Sequence, residues 1–176
     1  MAFKAFQEAA LADDELMSDY LGGVVAASGP EDDFAIALVA LIGRLSSLQL
    51  RLHYLIYREL AYLWPTELTP PNIFEESTAP TMTFDVFGLL EALGESKAAV
   101  NAARLPGTID VLYREGLISG PWSVKASLVR LKTSGRGADL FLWGHGIDGH
   151  GNAIYKHGRD VTLLTDVPRC RGAAIV

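Results

Sequence analysis

The chain has 176 residues, 49% of them hydrophobic and 20% charged, with a net charge of −6. That is enough apolar material for one packed domain, or one domain with a small appendage, and it excludes a disordered chain. The one cysteine, Cys170, excludes an internal disulfide framework and a cysteine-only zinc site.

Residues 3–12 read as a short helix with Phe3, Phe6 and Ala10 on one side. Asp13, Asp14 and Glu15 open a second helix through about Ala27, where acids suit the positive end of the helix dipole. Tyr20, Leu21, Val24 and Val25 supply its apolar face. Gly22-Gly23 in mid-helix costs about 1 kcal/mol per glycine relative to alanine, so the pair predicts a close helix–helix approach. No strand precedes it and no lysine follows at Walker spacing, as a phosphate loop requires. After a Ser28-Gly29-Pro30 turn, Glu31, Asp32 and Asp33 start a third helix, apolar nearly all round through Ile42 and therefore buried. Both acidic clusters read as helix N-terminal charges, because metal oxygens must converge on one point.

The central helix runs from Ser46 to Leu63. Leu45, Leu48, Leu52, Leu55, Ile56, Leu60 and Leu63 repeat at helical spacing. Ser46 or Ser47 caps its start, and Trp64-Pro65 stops it. Tyr54, Tyr57 and Tyr62 lie off the main stripe and predict contacts on several sides. Arg51 and Arg58 read as a solvated edge, and His53 as a partly buried histidine with one hydrogen-bond partner. No stretch is apolar for the ~20 residues a bilayer span needs, so no membrane span is expected. No secretory leader is read either, and a cytoplasmic location is expected.

Four prolines mark residues 64–82 as a linker. Phe84–Leu93 reads as a helix ended by Gly94, and Glu95–Ala103 as another, stopped by Pro106-Gly107. Thr108–Glu115 is helical, with Ile109, Leu112 and Tyr113 inward. Gly116 breaks it, Leu117-Ile118 starts an extended segment, and Gly120-Pro121 turns that segment. Residues 127–131 alternate like a strand. Thr133 caps a helix carrying Ala138, Leu140, Leu142 and Trp143. A glycine-rich loop follows, and then strand-like segments at Ile154-Tyr155 and Val161–Leu164. The expected architecture is mainly α. A helical bundle spans residues 1–63, the linker 64–82, and a small α+β part 83–176, or the whole is one continuous domain.

Two patches resemble the Abi-alpha group of bacterial proteins, which are linked to abortive phage infection. One is EAALADDELMSDYLGGVVAAS with LSSLQLRLHYLIY, and the other is LYREGLIS with LVRLKTSGRGADLFLWGHG. Together they cover about a third of the chain. In the second, Leu131 to Thr133 is one residue longer than the group's pattern. The resemblance implies a bacterial or phage-borne protein of host–phage conflict and supplies no functional residues. The second patch also looks like a winged-helix module, a fold that serves both DNA and protein recognition, so analogy does not choose between them.

Three functional readings follow. The first is a non-enzymatic interaction protein with a protein partner or self-association. The second is a nucleic-acid-binding regulator. It uses Lys125, Arg130, Lys132 and Arg136 for phosphate, with the Thr108–Glu115 helix as reader, although Asp110 and Glu115 make that helix a poor one. The charge is uneven. Of 15 basic and 21 acidic residues, eight and four lie from Pro121 onward, leaving seven and seventeen before it. The third is a metal-dependent enzyme whose ligands are His145, Asp148 and His150, with His157 beyond, since imidazole and carboxylate suit zinc and similar ions. Cys170 lies between Arg169 and Arg171, which would lower its pKa. No nucleophile elbow, zincin motif or dinucleotide fingerprint occurs, and no cofactor is expected.

Overall fold

The computed structural model describes residues 15–29, 32–65, 67–159 and 167–176. The helix expected at 3–12, the acids Asp13, Asp14 and Glu31, Pro30 of the turn, and the strand expected at Val161–Leu164 lie outside them. Among the described residues there are seven α-helices and four strands: α1 Glu15–Ala27, α2 Asp33–Ile42, α3 Ser47–Leu63, β1 Thr81–Asp85, α4 Val86–Ala92, α5 Ala99–Arg114, β2 Ile118–Lys125, β3 Leu128–Thr133, α6 Gly135–Gly144, α7 Ile154–His157 and β4 Ala174–Ile175. The fold is α+β with helices dominant, and its sheet is antiparallel in the order β2-β3-β1-β4.

Local chemistry sets the helix starts. The Asp32 carboxylate accepts from the Phe34 and Ala35 N–H groups and caps α2. Ser46 and Gln49 form a reciprocal capping box on α3. At its far end α3 stops before Pro65, and Arg159 donates to the carbonyls of Ala61, Tyr62 and Trp64. These last carbonyls have no partner inside the helix. Leu50, Leu52, Tyr54, Leu55, Ile56, Tyr57 and Leu60 are buried on α3. Arg58 is buried as well, at 8% exposure, and is not the solvated edge its spacing predicts.

The segment expected to be a linker and a helix start is partly one of the sheet's two inner strands. Thr81-Met82-Thr83-Phe84-Asp85 alternates outward and inward, with Met82 and Phe84 buried. It pairs with β3 on one side and β4 on the other. Helix α4 then starts at Val86, capped by Asp85, which accepts from the Gly88 N–H at 2.8 Å. The rest of the proline-rich stretch packs down: Ile73 and Ala79 are buried, and the Ile73 N–H donates to Asn152.

Pro106-Gly107 does not divide a helix pair. Helix α5 runs through it to Arg114. A proline inside a helix forfeits one backbone bond, here to Ala102, and burial of Leu105, Ile109 and Leu112 outweighs that loss at roughly 1.5–3 kcal/mol per large side chain. Tyr113 is 46% exposed and does not point inward. Gly120-Pro121 sits inside β2 as an irregularity between Ser119 and Ser123, with Gly120 at φ +63°. The cap of α6 is Ser134, whose hydroxyl accepts from the Gly137 N–H, while Thr133 ends β3. Ile154-Tyr155 begins α7, after a 3-10 turn at Gly151–Ala153, and is not a strand.

One hydrophobic cluster contains Leu16, Leu52, Phe84, Leu131, Phe141, Ile154 and Cys170, so among the described residues it reaches from α1 to the segment before β4. Helix α1 packs on α6, α2 and α3, and α3 also meets α5, α6, α7 and β4. No single helix among the described residues is long and apolar enough to cross a membrane.

The two glycines of α1 differ. A Cβ on Gly23 would lie 2.0 Å from the Gly144 carbonyl oxygen, whereas one on Gly22 would meet nothing within 4 Å. Gly23 alone makes the close approach to α6. We expect Gly23→Ala to lower the urea midpoint by the equivalent of about 1–3 kcal/mol. Gly22→Ala should raise it by up to about 1 kcal/mol. Equal effects would refute this packing.

Candidate functional site

Three of the four basic residues expected to contact phosphate share one face of the sheet. Along β3, Val129, Leu131 and Thr133 point inward, while Leu128, Arg130 and Lys132 point outward. Arg130 lies opposite Thr83 and Ser123, and Lys132 opposite Thr81 and Ser119. Lys125 pairs with Leu128 at the hairpin end, beside Ala126 at φ +53°. The face is therefore hydroxyl-bearing and basic. Lys132 is engaged, donating to the Glu76 carbonyl at 2.5 Å. Lys125 and Arg130 are exposed and make no hydrogen bond or ion pair among the described residues. Arg136 is exposed at the start of α6, not on this face; beside it, Glu115 is held below the usual carboxylate range, first by a hydrogen bond from Arg44 at 2.8 Å.

Helix α5, longer than its sequence suggests, adds an exposed Arg104 and a Val100 that is 65% exposed. Its other charges are compensated, Asp110 by Arg114 and Glu115 by Arg44.

The proposed metal ligands do not converge. His145 is mostly buried, stacked on Tyr54 at 5.8 Å and packed against Phe141 at 4.3 Å, and its Nδ1 bonds the Phe141 carbonyl. Burial holds its pKa down to about 4. Asp148 is exposed. His150 is 75% exposed and stands 3.7 Å from Asp139, a residue the spacing argument passed over. Asp139 is nearly buried, accepts from the Gly151 N–H at 2.7 Å, and is raised above the usual carboxylate range by that burial. The Trp143 indole donates to the Gly149 carbonyl at 3.1 Å. The loop is thus pinned by backbone contacts, and no group of three His, Cys, Asp or Glu suited to a metal exists among the described residues.

The densest polar geometry lies inside, on α3. The His53 Nε2–H donates to the Gly137 carbonyl at 2.8 Å, so its Nδ1 accepts from the Tyr20 hydroxyl at 3.3 Å. It has two partners where one was expected, and burial drives its pKa to about 3. The Tyr57 hydroxyl donates to the Leu117 carbonyl at 2.6 Å and accepts from the Ser134 N–H at 2.8 Å. Glu59 is fully buried. It accepts from the Arg169 guanidinium at 2.5–2.8 Å, from Arg58 at 3.0 Å and from the Cys170 N–H at 3.1 Å. Arg58 also donates to the Val167 and Pro168 carbonyls. Beside this cluster the Cys170 thiol is pushed up to about 12, first by burial and then by Glu59, the reverse of the activation its flanking arginines suggest. Glu59 was legible in one respect: it falls in phase with Leu52, Ile56 and Leu63, and a carboxylate on an apolar stripe requires a buried cation.

Apart from Arg169, whose side chain is 41% exposed, these groups are buried and almost fully bonded, so they hold the fold. Glu59→Ala should cost about 3–5 kcal/mol in urea unfolding, because it strands Arg58 and the Cys170 N–H. The two histidines give stability a pH window. An unfolded histidine titrates near 6.5, and these two take protons only near 3 and 4 when folded. Below 6.5 the unfolded chain therefore binds protons that the folded chain refuses. Their contribution is complete above 6.5 and is lost as pH falls through 6.5 towards 3. The urea midpoint should drop from about pH 7 to about pH 4, and less steeply in His145→Phe. A midpoint flat over that range would contradict the neutral pair. Comparison with protein-family models, curated proteins and solved structures finds no match for this chain, so the reading of its surface rests on geometry.

Proposed function

We propose that this chain is a non-enzymatic binding protein, bacterial or phage-borne, whose docking element is a winged-helix-like unit at residues 81–144. The observation that carries the reading is topological. A strand is followed by two helices and a hairpin, and the hairpin's second strand lies between its first strand and β1. In this reading β2–β3 serves as the wing, and α4 and α5 as the helix-turn-helix. The Abi-alpha resemblance adds host–phage conflict as the setting.

A specific observation favours nucleic acid as a second reading. Lys125 and Arg130 stand free on the wing, with Arg104 exposed on the second helix. Against it, the other charges of α5 are already compensated. A fluorescence-anisotropy titration against duplex DNA at two salt concentrations separates the two. Phosphate contacts weaken steeply with salt, each by a slope of about −0.9 in log K against log salt. Binding that falls with salt, and that Lys125→Ala with Arg130→Ala abolishes, would establish the nucleic-acid reading. Absence of binding at low salt would remove it and leave a protein partner or a second copy of the chain, read by pull-down and by the mass in solution.

A further inference from the structure

A cleft of about 350 Å³ opens between the end of α3, the proline-rich loop and α7. It lies outside the 81–144 unit and away from the sheet face. Trp64 and Tyr155 form an aromatic wall, with ring centroids 5.0 Å apart and planes 55° apart. Pro65, Leu68 and Pro70 complete the apolar part, and Asn152 and Lys156 supply the polar part.

The polar groups are biased in one direction. The Trp64 indole N–H donates and accepts nothing, and it is buried without a partner. The Tyr155 hydroxyl is also buried without a partner, and burial raises its pKa, so it remains a proton carrier. An unmet buried donor costs about 1–3 kcal/mol. The Asn152 oxygen is taken by the Ile73 N–H, while its amide nitrogen has only a 3.5 Å contact with Asn72. Lys156 is exposed and forms no ion pair among the described residues. Among the described residues, no carboxylate lines the cleft. The site thus offers two aromatic rings, the Asn152 amide and one positive charge.

We propose that this cleft binds a small aromatic carboxylate of one or two rings. The rings take the flat apolar body, and Lys156 takes the carboxylate with the Asn152 amide beside it. The volume sits at the lower end of small-molecule sites, roughly 300–1,000 Å³, and is too small for a dinucleotide. Lys156, with no acid among the described lining residues, argues against a cationic ligand, which aromatic walls alone would also accept.

The test is calorimetric titration of the full chain with 2-naphthoate, with 2-naphthylmethylamine as the cationic counterpart. The acid is expected to bind with Kd below about 1 mM. The amine should bind at least about tenfold more weakly, since it meets the lysine with like charge. Lys156→Gln, at an exposed position, should leave thermal unfolding unchanged and weaken the acid about tenfold. Trp64→Phe shrinks the aromatic wall, and should weaken the acid further. Absence of binding by both 2-naphthoate and benzoate would overturn the proposal. So would equal affinity for acid and amine, or a Lys156→Gln protein that is folded and binds the acid as the parent does.

Discussion

The hydroxyl of Tyr57 joins three parts of the chain that are far apart in sequence. It donates to the Leu117 carbonyl, where α5 hands over to β2, and accepts from the Ser134 N–H, where β3 hands over to α6. Both partners are backbone groups at element ends, where regular hydrogen bonding runs out. The ring itself is fully buried. A polar atom in that position must be satisfied by the protein, because water does not reach it. The joint between the helical part and the sheet therefore has one acceptable geometry, and α3 carries the atom that enforces it.

Two neighbours on α3 repeat the device. His53 reaches the Gly137 carbonyl one turn further into α6, and Glu59 gathers Arg58, Arg169 and the Cys170 N–H at the chain's end. Steric fit and hydrogen bonding coincide here. A Cβ on Gly137 would lie 2.1 Å from the Tyr57 oxygen, so glycine is what lets α6 approach. Gly23 and Gly144 repeat this between α1 and α6. The interior thus consumes the histidine, the carboxylate and the thiol that sequence chemistry would nominate for catalysis. The same packing takes His145 into an aromatic stack and leaves Asp148 in solvent, which separates the metal set.

The unengaged charges are outside. The β2–β3 hairpin projects Lys125 and Arg130 from a sheet whose two inner strands, β3 and β1, are each paired on both sides. For the proposed docking role, it is the hairpin backbone that strand pairing fixes before any partner arrives. The aromatic cleft beside Trp64 shares no lining residue with that surface and lies just past the C-terminal end of α3.

The sequence by itself determined the features that short-range chemistry controls. Apolar periodicity located α1, α2, α3 and α6, alternation located β3, and Ser46 with Pro65 bounded α3, because caps, proline stops and helical phase act within a few residues. It also marked the glycine pair as a close approach, of which Gly23 is the half that makes contact. Tertiary structure alone decided the rest. Residues 81–85 are a strand because β3 and β4 lie alongside, not because of local preference. Helix α5 crosses Pro106 because Leu105, Ile109 and Leu112 are buried on either side of it. Arg58 is inside because carbonyls more than a hundred residues later receive it, and the Cys170 thiol is raised rather than activated because Glu59 and burial outweigh its adjacent arginines. In each case the deciding partner is distant along the chain and near in space, and no local pattern of residue types encodes that distance.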